Sequence, residues 1–474
     1  MSLFDETRYR GLLERLEISE VKRSQLERTS RLDAEFFQKR HVALESKFVT
    51  RVCQRITEVA TISDGNHFSI SDNFVEEGIP YYRGQDAAGH FFIEQATPNN
   101  ITVEAFKWPA LQRSHLQEGD VLLSIIGTVG EASLVKTSQD ATCSCKLAIL
   151  RPMEISPEYL ATYLSSGIGH NLSERWKRGA VQTGLLLKDM DQLPIPRFGS
   201  VFENRIVEIV DLSYESLEEG RRKMAQAETT LLCALNLENW KAPEPLSYVR
   251  GSGDVFAAGR LDADYFAPSV QTLLLKLGSD CLTIGDVASA RHEKFKLDEA
   301  SETFDYIEIG NICGDGSVES TEIETKAAPS RATQHVHVGD VLTSTVRPIR
   351  RLSALVTEGQ DGAVCSSGFV VLQPKTISSA TLLTYLRLLP VCELMNLHTS
   401  ASMYPAISET DLLSMPIPKI PKSVQTTIDD RNEASRQSRQ RATQLLEAAK
   451  RAVEIAIEDS ETAALAFLDA QTAT

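Results

Sequence analysis

The chain is written twice, and nothing else in it constrains the fold so strongly. RLDAEFF, Arg31 to Phe37, returns 229 positions later as RLDADYF, Arg260 to Phe266. ITEVA from Ile56 returns as IGDVA from Ile284, and EGDVLLS around Gly119 returns as VGDVLTS around Gly339. ISPEYLATYL from Ile155 and LPIP from Leu193 return as ISSATLLTYL from Ile377 and MPIP from Met415, both 222 positions on. Five anchors in one order predict a single architecture built twice. The shift is not constant, which predicts that the copies keep a scaffold and vary in their loops.

A chain of 474 residues is too long for one hydrophobic core, and 42% hydrophobic with 24% charged residues lets each half bury a core of its own. The net charge of −16, from 65 acidic against 49 basic residues, argues against a free-standing binder of nucleic acid driven by charge alone. Local basic patches stay open. Cys53, Cys143, Cys145, Cys233, Cys281, Cys313, Cys365 and Cys392 make no CxxC pair, so buried free thiols are expected and a zinc ribbon is not. The start, MSLFDETRYR, lacks a basic segment followed by an apolar run, and no stretch approaches 18 apolar residues; the expectation is a cytoplasmic protein.

Residues 1–30 and on to about Phe48 have helical character. From about Arg51 to Phe198 short apolar runs such as VLLSIIG and KLAILRP alternate with Gly, Asn, Asp and Pro, which predicts strands and tight turns. PEYLATYLSSG predicts a helix, with Pro157 in its first turn and Tyr159, Leu160, Tyr163 and Leu164 on one face. LPIP predicts an extended exit. A long helix follows, with capping-box spacing at Ser200 and Glu203. Val210, Leu217, Met224 and Leu231 recur every seven residues, with Val207, Tyr214 and Leu235 between them, a seam interrupted at Arg221 and Glu228 and weakened by Gly220. Pro243 and Pro245 end it. The second copy leads to a matching helix from about Lys422 to Ile457, where Ala442, Leu446, Ala449, Val453 and Ala456 alternate by four and three. Each helix is roughly 54 Å long at 1.5 Å per residue, and the two are expected to pair antiparallel.

The paired RLDAEFF and RLDADYF, GDVLLS and GDVLTS, and LPIP and MPIP, each copy followed by a long helix, resemble the DNA-sequence specificity subunit of type I restriction-modification systems over nearly the whole chain. The resemblance implies an α+β chain with two similar target-recognition domains linked by two long antiparallel coiled-coil helices, in pseudo-two-fold arrangement. The corresponding division is an N-terminal helical segment (1–30), a first target-recognition domain (31–198), a central long helix (199–245), a second domain (246–419) and a distal helix and tail (420–474). Each domain would read one half of a bipartite, asymmetric target on double-stranded DNA, and the helices would set the gap. The chain would be non-catalytic and bind no cofactor. Its partners would be two DNA methyltransferase subunits, which carry S-adenosylmethionine, and motor and nuclease subunits that use ATP. Gly-rich VRGSGDVFAAG before the second RLDADYF and the polar DDRNEASRQSRQ in the second helix depart from the first copy.

No (N/D)PP(Y/F) methylase loop and no GxxxxGK(S/T) phosphate loop is present. Asp315, Glu324 and Lys326 loosely resemble a nuclease metal site, which solvated charge explains; His335 and His337 alternate on a predicted strand and could share a face, but without cysteine or acidic company they are not read as a metal site. Base reading needs Arg, Lys, Asn, Gln, Ser and Thr on loops. In the first copy these are Ser63, Asn66 and His67 of SDGNHFS, Arg83 and Gln85 of YYRGQD, and Arg175, Lys177, Arg178, Gln182 and Thr183 around Trp176. Lys146 is expected to be packed or paired. In the second copy the candidates are Arg291, His292, Lys294 and Lys296, then Asn311, Ser402 and Tyr404, with Arg347, Arg350 and Arg351 as a phosphate clamp. The alternatives are a protein-interaction scaffold and a metal-dependent nuclease.

Overall fold

The computed structural model describes residues 9–472, apart from 10, 13–15, 180–182, 242, 244, 260, 279–280 and 400–404. It divides into two compact units, Met1–Ser216 with Gln440–Thr474, and Leu217–Arg439. Each therefore contains half of each long helix, Ser200–Ala234 and Lys422–Glu458. None of the described helices is long and apolar enough to cross a membrane.

The strands of the first unit are β1 (Cys53–Arg55), β2 (Ala60–Asp64), β3 (Phe74–Val75), β4 (Ile79–Tyr82), β5 (Asn99–Ile101), β6 (Val121–Ser124), β7 (Ala132–Leu134), β8 (Thr142–Cys143), β9 (Leu147–Pro152) and β10 (Pro194–Pro196). One sheet has the order β2-β9-β6-β7, another β3-β5-β4-β8, and β1 pairs with β10. The unbroken apolar runs of β6 and β9 are buried on both faces, and this is why they do not alternate. Leu122, Leu147 and Ile149 join Tyr82 and Cys143 in one core. Their alternate neighbours lie beneath the helix Pro157–Ser165, which packs on β6, β7 and β9.

The second unit has β11 (Leu282–Thr283), β12 (Ala288–Ala290), β13 (Thr303–Ile307), β14 (Thr321–Glu324), β15 (Ala332–His335), β16 (Val341–Ser344), β17 (Ser353–Leu355), β18 (Val364–Ser366), β19 (Phe369–Pro374) and β20 (Pro416–Ile417). Its sheets run β12-β19-β16-β17 and β14-β13-β18-β15, and β11 pairs with β20. The plan of the first unit is repeated, down to the single parallel pair, β4 with β8 and β13 with β18. In the first unit an isolated bridge between His115 and Thr142 stands where β15 pairs with β18.

Single bonds repeat as well. Ser156 and Ser378 cap equivalent helices, accepting from the amides of Tyr159 at 3.3 Å and Thr381 at 3.2 Å. The Tyr163 hydroxyl donates to Pro194 O at 2.5 Å, and the Tyr385 hydroxyl donates to Pro416 O at 2.6 Å. The tyrosine of each TYL motif thus ties its helix to the first proline of the exit strand. The α+β class and the doubled architecture expected from the sequence are both present.

The long helices pair antiparallel within each unit. In the first, Ser213 Oγ donates to Ala442 O at 2.8 Å, and toward the start of the same helix Gly199 N donates to Glu461 at 2.9 Å. In the second, Ser435 Oγ donates to Gly220 O at 2.7 Å, and Arg431 bonds Gln226 O at 2.6 Å. Ser213 and Ser435, and likewise Gly220 and Ala442, are 222 positions apart: one bond is made twice.

Three expectations need correction. The first is the phase of the seam: Val210, Leu217, Met224 and Leu231 are buried, but the intermediate positions are Ser213, Gly220 and Ala227, while Val207 and Tyr214 are only half-buried. Small residues are needed there because the backbones come close enough for hydroxyl-to-carbonyl bonds. The second is the capping box: the Glu203 carboxylate accepts from Phe198 N and Arg197, both at 3.0 Å, instead of closing a box with Ser200. The third is thiol burial. Cys143, Cys365 and Cys392 are buried, but Cys233 is exposed and the other four are intermediate.

Gly220 does not weaken the pairing as its sequence position suggests. A Cβ there would lie 3.0 Å from Arg439 Cγ and 3.1 Å from Ser435 O. Helix propensity alone would make Gly220→Leu stabilising by roughly 1 kcal/mol. Overpacking should reverse the sign, and we expect a loss of about 1–3 kcal/mol in urea unfolding; a gain would show that the helices are not tightly apposed at this point.

Candidate nucleic-acid interface

In the first unit, backbone bonds gather five connecting segments at one edge of the two sheets. Asn66 N donates to Cys143 O at 2.8 Å, and Cys145 N returns a bond to Asn66 O at 2.9 Å. Ser144 N bonds Tyr82 O at 2.8 Å, Ile125 N bonds Lys146 O at 2.9 Å, and Leu185 N bonds Ile125 O at 2.8 Å. The loops after β2, β4 and β6, the turn between β8 and β9, and the segment around Gly184 therefore form one cluster. His67, Phe68, Gln85 and Lys146 are exposed on it.

The second unit assembles the equivalent cluster by equivalent bonds. Thr345 N donates to Gly368 O at 2.9 Å and Ile407 N to Thr345 O at 3.0 Å, matching the bonds of Ile125 and Leu185. Val346 bridges Ala406 as Ile126 bridges Gly184. The turn after β13 copies the turn after β4: Asn311 Oδ1 accepts from Glu308 N at 2.8 Å, as Asp86 accepts from Arg83 N at 2.7 Å.

Several candidate residues are committed to this scaffold. Asn66 is 2% exposed, and its amide clamps the backbone of Phe68, accepting from its N and donating to its O, both at 2.9 Å. Asn311 caps its own turn. Arg83 pairs with Asp86 at 3.2 Å, Lys177 with Glu174 at 2.9 Å and Arg178 with Asp189 at 2.7 Å. Arg291 holds the buried Asp340 at 2.8 Å, as Arg151 holds the equivalent Asp120 at 2.8 Å from a different strand. Arg175 is buried, with Glu45 at 3.1 Å and Phe36 O at 3.1 Å. The apparent basic patch around Trp176 is therefore largely internal or neutralised.

The remaining candidates reach the surface in different ways. Ser63 is exposed on β2, Gln85 is exposed, Thr183 is half-buried beside the Gly184 bridge, and His67 bonds Asp64 at 2.6 Å. His292 lies 3.3 Å from Glu409. Arg347 sits in the left-handed region at φ 51° and donates its amide to Pro405 O at 2.9 Å. Arg351 pairs with Glu228 and bonds Arg387 O, so the three-arginine clamp is split between surface and scaffold. Lys294 and Arg350 are exposed and carry no ion pair among the described residues. Gln182, Ser402 and Tyr404 lie outside the described residues.

Lys146 was missed. It is exposed at the turn between β8 and β9, and its ammonium has no partner among the described residues. Its place on an apolar strand motif suggested packing; only the turn geometry reveals the exposure.

The two resemblances to metal sites dissolve in the structure. Burial alone would raise the Asp315 carboxyl, but its pairing with Arg439 and its bonds from Ser317 together hold it below its ordinary range, while Glu324 and Lys326 pair with each other at 2.8 Å. His337 lies between Glu293 at 3.0 Å and Asp361 at 3.2 Å. No group of three or more metal-binding side chains occurs among the described residues.

No family model matches the chain, and no curated protein does. Solved structures are similar to it, among them the following three. The Type-I restriction-modification system S subunit from M. genitalium shares 12% identity, over 86% of this chain and 95% of that one, with a TM-score of 0.36. The HsdS subunit from Thermoanaerobacter tengcongensis shares 16%, over 86% and 97%, with a TM-score of 0.28. A structure described as underlying complex assembly and conformational transition of the type I R-M system shares 18%, over 89% and 97%, with a TM-score of 0.27.

Proposed function

We propose that this chain is the DNA-recognition subunit of a type I restriction-modification complex, each unit reading one half of a split, asymmetric target. One observation carries the reading. The same loop cluster is built twice on one topology, held by matching backbone bonds, yet exposes different side chains in each copy. A protein that bound the same partner twice would keep those side chains alike; a reader of two unrelated half-sites must vary them. Gln85 and Lys146 in one cluster and Glu308 and Arg350 in the other are exposed groups of the kind that meet base edges and phosphates. The long paired helices fit the task of fixing the gap between halves. On this reading the chain carries no chemistry of its own, and two methyltransferase subunits and the motor and nuclease subunits supply it.

The test is selection of duplexes from a random pool by the full chain, together with any subunits that copurify with it. A motif of two short, unrelated blocks separated by a fixed run of unspecified bases is expected. One continuous block, or retention without sequence preference, would favour the scaffold alternative.

A further inference from the structure

Equivalent loops of the two clusters have exchanged a glycine for a large side chain in opposite directions. In the first unit the turn after β4 carries Gly84, and the turn after β8 carries Lys146; a Cβ on Gly84 would lie 3.3 Å from Lys146 Cβ. In the second unit the corresponding residues are Ile309 and Gly368, and a Cβ on Gly368 would lie 2.7 Å from Ile309 Cδ1. The correspondence does not depend on sequence alignment alone, since Lys146 O and Gly368 O accept the equivalent amides of Ile125 and Thr345, each at 2.9 Å. One gap between two turns is thus filled from the β8 side in one copy and from the β4 side in the other. A Cβ opposite either occupant would crowd it, so that one of the pair would have to shift.

The exchange changes what the gap presents. In the first unit it is an exposed primary ammonium without an ion pair among the described residues, flanked by exposed Gln85. In the second it is a half-buried branched aliphatic group, packed on one side against the core of Ile307, Cys365 and Phe369 and flanked by exposed Glu308 and Gly310. A lysine donates to guanine O6 and N7, whereas an aliphatic group favours the thymine methyl in the major groove.

We infer that Lys146 and Ile309 are specificity-determining residues filling one equivalent place, Lys146 selecting a guanine in one half-site and Ile309 a thymine in the other. This rests on the DNA-reading function proposed above. Neither residue's side chain closes its turn, because the turns are closed by backbone bonds and by the Asp86 and Asn311 side chains. Residues that only tuned affinity would have no reason to exchange positions with their opposing glycines.

The experiment compares duplexes selected from a random pool by the full chain, by Lys146→Gln and by Ile309→Ala. Lys146→Gln should relax one guanine position in one half-site by about tenfold to a hundredfold and leave the other half unchanged. Ile309→Ala should relax one thymine position in the other half. With the unmutated chain, replacing that thymine by uracil, which lacks only the methyl, should cost the same factor; this arm does not depend on any variant folding. The inference is overturned if Lys146→Gln weakens all duplexes equally and lowers the salt-dependence slope by about one, the mark of a phosphate contact, or if neither variant nor uracil alters the selected sequence. Failure of the unmutated chain to select any sequence would instead remove the function proposed above, and this inference with it.

Discussion

Phe36→Ala is expected to destabilise the first unit by about 3–5 kcal/mol, the range for emptying a large aromatic site in a core. Phe36 is 1% exposed, and its ring meets those of Phe37 at 4.9 Å and Trp176 at 4.8 Å, both edge to face. The guanidinium carbons of Arg31 and Arg175 lie 4.8 and 4.2 Å from its centre. Arg31 in turn is held by Asp33 at 2.6 Å and bonds Lys177 O at 3.2 Å. RLDAEFF is therefore a clamp that fastens the N-terminal segment to the end of the helix Gly167–Arg175. Removing the ring leaves two nearly buried guanidinium groups facing a void, so collapse cannot recover much of the loss. Hydrogen exchange should show protection falling in residues 39–47 and 167–175, with β16 and β19 of the second unit unaffected. Leu32, in the same motif but 84% exposed, should tolerate alanine within about 0.5 kcal/mol. Comparable effects of the two substitutions would refute the clamp.

The scaffold was legible in the sequence because its determinants are local and repeated. Tyr163 and Tyr385, the proline exits and the seryl caps sit at a constant spacing of 222; each cap bonds three residues on, and each tyrosine bonds the proline exit, itself a repeated motif, 31 residues on. The chemistry of the loops was not legible for the opposite reason. Whether an arginine reads DNA or holds the fold depends on carboxylates remote in sequence, as Asp340 for Arg291 and Glu228 for Arg351 illustrate. Lys146 shows the converse, a polar residue in an apolar motif that one turn of backbone brings to the surface. Apolarity alone marks the wrong phase of the helical seam, because Ser213 and Gly220 belong to it through smallness and hydrogen bonding.

The second large effect concerns what the duplication means. Cys53 pairs with Pro196 in the β1–β10 ribbon, and Leu282 with Ile417 in the β11–β20 ribbon, so the strand-rich part of each unit begins and ends at two adjacent strands. Residues 53–196 can therefore be replaced by a second copy of residues 281–418 with both chain ends meeting their original neighbours. Both long helices remain. If the loops of each unit alone decide the bases, and the helices alone decide the gap, the outcome is fixed in advance. Determining the sequence selected from random duplexes by this doubled chain is the most direct measurement. Two identical half-sites separated by the original gap are predicted; persistence of the original first half-site, or loss of all selection by a chain whose helices still melt cooperatively, would contradict it.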